Sequence, residues 1–211
     1  METVKFPFTD ALKFGWTKIK ENFWNLVAIT VIYMVISGLL NSLSDGTQKI
    51  MPSVSIIVSL CSWIIGSLMT LGVVKIGLKI YNGEAFEIAE MFTNYQPLLN
   101  YLLASILYIV AVILGLVLLI IPGIIIAIRM SFYVYLMVDK NMNPVDALKE
   151  SWKMTKGSFW RLFLFSLLTL GVIVLGILAL LVGVVVAVPV VSLAYIFIYK
   201  FLEDNKQAVT V

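Results

Sequence analysis

Long apolar stretches alternate with short polar ones along this chain, and six of the apolar stretches read as helices that cross a bilayer. They run approximately over Phe23–Leu43, Val54–Ile80, Leu98–Ile121, Gly123–Val138, Phe159–Leu181 and Val184–Leu202. A hydrocarbon core of about 30 Å takes roughly 20 apolar residues in a helix. The third and fourth stretches are separated only by the Ile121-Pro122-Gly123 turn signal, and the fifth and sixth only by a break near Gly183. A single helix through either pair would be about twice as long as a span needs, so each pair is expected to form a tight hairpin.

Before the first and fifth spans the pattern becomes amphipathic. Leu12, Trp16, Ile19 and Phe23 recur at helical spacing, as do Leu148, Trp152, Thr155 and Phe159, with lysines beside them. That arrangement suits a helix at the membrane interface, anchored there by Trp16, Trp24, Trp152 and Trp160. Asn143 is placed as an N-cap, with Pro144 at the first helical position and Asp146 in the first turn. The two segments also match residue by residue. Asp10-Ala11-Leu12-Lys13 recurs as Asp146-Ala147-Leu148-Lys149, Trp16 as Trp152, Lys20 as Lys156, and Phe23-Trp24 as Phe159-Trp160. Glu84–Pro97, with Phe86, Met91, Phe92 and Tyr95, reads as a weaker third copy.

The predicted fold is therefore all-α and polytopic. A single integral membrane domain over residues 1–211 has about six transmembrane helices, with cytoplasmic interfacial amphipathic helices preceding the hairpins. Its repeat units fall at approximately 8–80, 84–138 and 143–202.

Composition agrees with a lipid-covered protein. The chain is 61% hydrophobic and 13% charged, with a mean hydropathy of +1.03, whereas soluble domains run near 25% charged. The opening residues Met1–Lys5 lack the pattern of a cleaved signal peptide, so the N-terminus is expected to be retained. There is no histidine, and one cysteine, Cys61. Histidine-based acid–base chemistry, catalytic triads and common zinc sites lack their groups, and no intrachain disulfide can form. No metal or cofactor is expected, and a net charge of +3 gives nucleic-acid binding no support.

Charge sets the orientation. All but two of the 15 basic residues fall on one side of the spans, the exceptions being Lys49 and Arg129. The positive-inside rule places that side, with both termini and the two long loops, in the cytoplasm. Asn41–Ser53 is the one outer loop of any length. On the cytoplasmic side Lys13, Lys20, Lys149, Lys153 and Lys156 are candidates for anionic lipid or for docking a protein partner; each lysine near an anionic leaflet contributes about 1 kcal/mol.

Arg129 lies well inside the fourth span, where an arginine costs about 2.5–3.5 kcal/mol and requires a partner. No acidic residue lies within the spans. The candidate partners are backbone carbonyls freed at Pro122 or Pro189, the hydroxyls of Ser131 or Tyr135, or a lipid phosphate. Two readings stand open: Arg129 snorkels to a headgroup, or it marks an anion site. The breaks at Pro122, Gly123, Gly183 and Pro189 are either packing features or a ligand-lining backbone. Ser59, Ser62, Gly66, Thr70 and Gly77 trace a small-residue face suited to close helix packing.

The stretch Ile121-Pro122-Gly123-Ile124 through Arg129, Asp139, Pro144 and Ala147-Leu148-Lys149-Glu150-Ser151-Trp152 to Thr155-Lys156-Gly157-Ser158-Phe159-Trp160 resembles a family of largely uncharacterised bacterial membrane proteins. That family is related to the membrane domain attached to some glycerophosphoryl diester phosphodiesterases. In those fusions catalysis belongs to a separate soluble barrel, which these residues do not contain. The resemblance implies a multi-pass protein of the bacterial cytoplasmic (inner) membrane, and it transfers no catalytic residue. The expected function is non-enzymatic, a scaffold or accessory role in envelope or lipid homeostasis. The alternative is a transporter or binding protein for an anionic lipid or amphipathic molecule that uses Arg129.

Overall fold

A computed structural model describes residues 7–93, 96–179 and 182–209. Lys5, Tyr95 and Leu181 lie outside these residues, as do the side chains of Lys49 and Lys206. The described chain forms ten helices and no strand: α1 (Phe8–Glu21), α2 (Phe23–Ile50), α3 (Pro52–Asn82), α4 (Glu90–Thr93), α5 (Leu98–Leu118), α6 (Ile120–Met130), α7 (Tyr133–Lys140), α8 (Pro144–Met154), α9 (Phe159–Leu178) and α10 (Val182–Val209). Among the described residues six segments are long and apolar enough to span a membrane, α6 and α7 together making the fourth.

Local chemistry explains where the helices start and stop. Pro52 opens α3, and Gly83 closes it in the left-handed region at φ 75°, where a side chain would be strained. Asn143 caps α8 as its sequence predicts, its side-chain oxygen accepting the Asp146 N–H at 3.0 Å, with Pro144 following. The α5–α6 turn falls at Leu119, in extended backbone, rather than at Pro122-Gly123. Pro122 occupies the first turn of α6, where helix N–H groups have no intrahelical partner, so its missing N–H leaves nothing unpaired. Gly123 packs directly against Gly115 and Leu116 of α5, and Gly183 meets Gly176 of α9 in the same way. These glycines permit the two tight hairpins. α10 runs unbroken through Pro189.

The helices close into a ring. α2 packs on α10, α5 on α3, and α9 on α6; likewise α1 packs on α10, α4 on α3, and α8 on α7. Each pairing joins a helix to the second span of the hairpin before it, and the N-terminal helices complete the circuit on the last span. Within the ring α3 contacts both α7 and α10. Tyr135 of α7 stacks on Tyr199 of α10 at 5.5 Å, and Phe132 lies beside Tyr195. α10 is the most buried of the six: 56% of its span is buried, against 17–28% for the other five. The outward surfaces of α5 and α9 are leucine, isoleucine and valine, including Val117 and Leu178 at more than 70% exposed. Apolar surface on that scale requires lipid to cover it.

Candidate functional site

The residues singled out from sequence fall into two groups: a buried joint around Arg129, and outward faces that carry lysine and tryptophan.

After Lys140 the chain turns at Asn141, which is in the left-handed region at φ 51°, and α8 folds back antiparallel along α7 and α6. The pairings fix that course. The Phe132 N–H donates to Ser151 Oγ at 3.1 Å, and the Ser151 and Thr155 hydroxyls donate to the Arg129 carbonyl at 2.8 and 3.1 Å. The break between α6 and α7 is thus satisfied from α8, because the backbone groups released at Ser131-Phe132 are taken up by two short hydroxyls. Ala147, Ser151 and Thr155, one turn apart, are all fully buried in this seam. Residues this small let the backbones approach.

Arg129 completes the joint. Its Nη2 donates to the Trp152 carbonyl at 2.7 Å, and its guanidinium lies 3.9 Å from the centre of the Trp152 ring. The cation therefore sits at the C-terminal turn of α8, where the helix dipole favours positive charge. Among the described residues its Nε is buried without a hydrogen-bond partner, as is the hydroxyl of Ser158. Its protein acceptor is the Trp152 carbonyl, whereas Ser131 Oγ, a candidate partner from sequence, donates to the Ile128 carbonyl. The sequence pattern marks Trp152 as an interfacial anchor, and the structure also pairs it with Arg129. The signal that could have found it is the Ser151-Trp152-Thr155 set, a hydroxyl-bearing small face on a helix that must pack somewhere.

Lysine and tryptophan occupy the opposite faces. On α1 the buried stripe is Ala11, Gly15 and Ile19, while Lys13, Trp16 and Lys20 point outward, with the Lys20 ammonium 5.2 Å from the Trp16 ring. Sequence spacing grouped Trp16 with Leu12, Ile19 and Phe23, but Trp16 is 50% exposed and Ile19 is 1% exposed. Gly15 turns the helix, because it lies flush on the Val190 backbone of α10 and brings its own stripe inward. On α8 Lys149 and Lys153 are exposed one turn apart, and Lys156 follows. Trp24 and Trp160, 79% and 72% exposed, project at the starts of α2 and α9.

Ion pairs join the helices at the same end of the bundle. Lys200 bonds Asp139 at 2.7 Å, and Tyr199 donates to the same carboxylate at 2.8 Å. Lys140 pairs with Glu203. Glu90 of α4 accepts from Lys79 of α3, with Lys75 at 3.9 Å. The Lys79 hydrogen bond, then the Glu87 N–H, hold the Glu90 carboxyl below the usual carboxylate range. Among the described residues no group of three or more histidine, cysteine, aspartate or glutamate side chains is placed to hold a metal.

This is a multi-pass α-helical membrane protein whose ion pairs and amphipathic helices gather at one end of a helical bundle. Residues 100–206, just over half the chain, match the family described as "Protein of unknown function (DUF975)", and the chain belongs to that family. Similar proteins include the uncharacterized protein Rv2560 of Mycobacterium tuberculosis, 26% identical over 98% of this chain and 71% of the relative. The uncharacterized protein Mb2590 of Mycobacterium bovis is 24% identical over the same shares. No solved structure matches. The Arg129–Trp152 joint lies wholly within the matched region.

Proposed function

We propose that this protein is a non-enzymatic component of a bacterial cytoplasmic membrane, with both termini inside, that engages anionic lipid as a scaffold or accessory in envelope or lipid homeostasis. The observation that carries the reading is the pair of outward basic faces, Lys13 and Lys20 beside Trp16 on α1, and Lys149 and Lys153 on α8 with Lys156 just past its end, on helices whose opposite faces are locked into the bundle. Helices held in that way present their charges at a constant depth, and lysines beside indole rings suit the headgroup layer. The distribution of basic residues supports the orientation. Kinship with the membrane domain of glycerophosphoryl diester phosphodiesterases belongs to the same proposal, resting on the resemblance of residues 121–164. So do the three like units at 8–80, 84–138 and 143–202, supported by the threefold recurrence of the helix pairings.

Anion binding by Arg129 is the weaker reading, because its guanidinium already bonds the Trp152 carbonyl and stacks on the ring. Native mass spectrometry of the purified protein separates the two. Wild type is expected to carry anionic phospholipid. Replacing Lys13, Lys20, Lys149, Lys153 and Lys156 with glutamine should remove it, while Arg129→Leu should keep it. Retention of the same lipids by the glutamine variant would overturn the proposal, and their loss in Arg129→Leu alone would move the site to the arginine.

A further inference from the structure

Between α2, α3, α7 and α10 the bundle leaves a cavity of about 440 Å³. That volume lies in the range of small-molecule sites, roughly 300–1,000 Å³, and close-packed interiors leave few voids larger than a water molecule. The lining runs from Leu26 to Met34 along α2 and from Val188 to Ile196 along α10. Eight residues of helix are about 12 Å, so the space is elongated along the helix axes.

Its walls are mostly aliphatic, including Ile29 and Val73, yet polar groups are set among them. Tyr135 and Ser192 are among the residues that line the space, and among the described residues neither hydroxyl makes a hydrogen bond. Pro189 also lines it, and because proline has no N–H, the Val185 carbonyl one turn earlier lacks its intrahelical donor. Tyr135 and Ser192 are both half-buried, so their hydroxyls are left to pair with what occupies the space. Met34 lies in the lining and is 37% exposed, which puts it at a rim facing the outside of the bundle. All four helices belong to candidate spans, so what reaches that rim comes from the bilayer.

We infer that the cavity is a binding site for a single alkyl chain of a membrane amphiphile, with Tyr135 and Ser192 donating hydrogen bonds to an acceptor oxygen at its carboxyl or ester end. The apolar walls take the chain, and the hydroxyls choose a chain that carries an oxygen over a plain hydrocarbon. The site is separate from the lysine faces and takes the hydrophobic part of the ligand rather than its charge.

The test is photolabelling of the full chain in detergent micelles with two diazirine probes, one a fatty acid and one a phosphatidylglycerol carrying the diazirine in its acyl chain. Adducts concentrated on peptides from residues 26–34 and 188–196, and competed at least tenfold by unlabelled oleate or phosphatidylglycerol, are expected. Whichever probe labels identifies the source of the chain. Ser192→Phe, which fills the cavity, should reduce labelling at least tenfold while the thermal midpoint is kept. Labelling spread over the outer faces of α5 and α9 without competition would overturn the inference. So would equal labelling of a folded Ser192→Phe protein.

Discussion

Gly15 of α1 lies flush against the carbonyl of Val190 in α10, leaving no room for even a methyl group between the two helices. That contact joins the N-terminal helix to the last span and closes the ring. It is also the point where the α1 face turns, burying Ala11 and Ile19 and sending Lys13, Trp16 and Lys20 outward. The atom in the way is backbone, which cannot rotate aside as a side chain can.

Gly15→Val is therefore expected to detach α1. Overpacking of this kind costs about 1–3 kcal/mol. A lower thermal midpoint should come with faster tryptic cleavage at Lys13, Lys18 and Lys20. Gly38→Val, where nothing lies within 4 Å, serves as the control and should change neither.

Arg129→Leu removes the charged donor to the Trp152 carbonyl together with the stacked cation. A hydrogen bond from a charged group contributes about 1.5–3 kcal/mol, and the ring contact about 1 kcal/mol. Thermal unfolding should show a loss of about 2–3 kcal/mol, with Arg129→Lys intermediate because an ammonium cannot stack as a guanidinium does. A double-mutant cycle with Trp152→Leu measures the coupling; a value of zero would remove the joint as a stabilising element.

Ser151→Ala strands the Phe132 N–H and takes one donor from the Arg129 carbonyl. A buried unsatisfied group costs about 1–3 kcal/mol. The effect should appear as faster amide exchange at Phe132 and along α7, while α2 and α3 exchange as in wild type.

The Glu90–Lys79 pair gives a pH dependence whose sign follows from the lowered carboxyl pKa. A depressed folded-state pKa adds stability above the ordinary carboxylate value of about 4.3, and that stability is lost as pH falls through the folded value. The melting midpoint of wild type should therefore drop on the acid side of about pH 4 more than that of Glu90→Gln. Parallel curves would show that the pair contributes nothing. The effect should be small and should shrink in high salt, since the pair sits near the bundle's edge.

Runs of apolar residues, a cap signal and the lopsided charge were enough to determine an all-α, six-span protein. The sequence also marked where its amphipathic segments begin, because each of these depends on residues within a turn or two of one another. Asn143, Pro144 and Asp146 state a helix start in four residues, and the structure adds only the 3.0 Å bond. What tertiary structure alone decided is which helix meets which. Gly15 announces a close approach but not that Val190 supplies the other side, and Arg129 demands a partner without naming Trp152, 23 residues on. Small residues and lone charges specify that a contact must exist. The identity of the contact follows from how α1, α4 and α8 share the circumference of one ring, and so does the cavity left between α2 and α10.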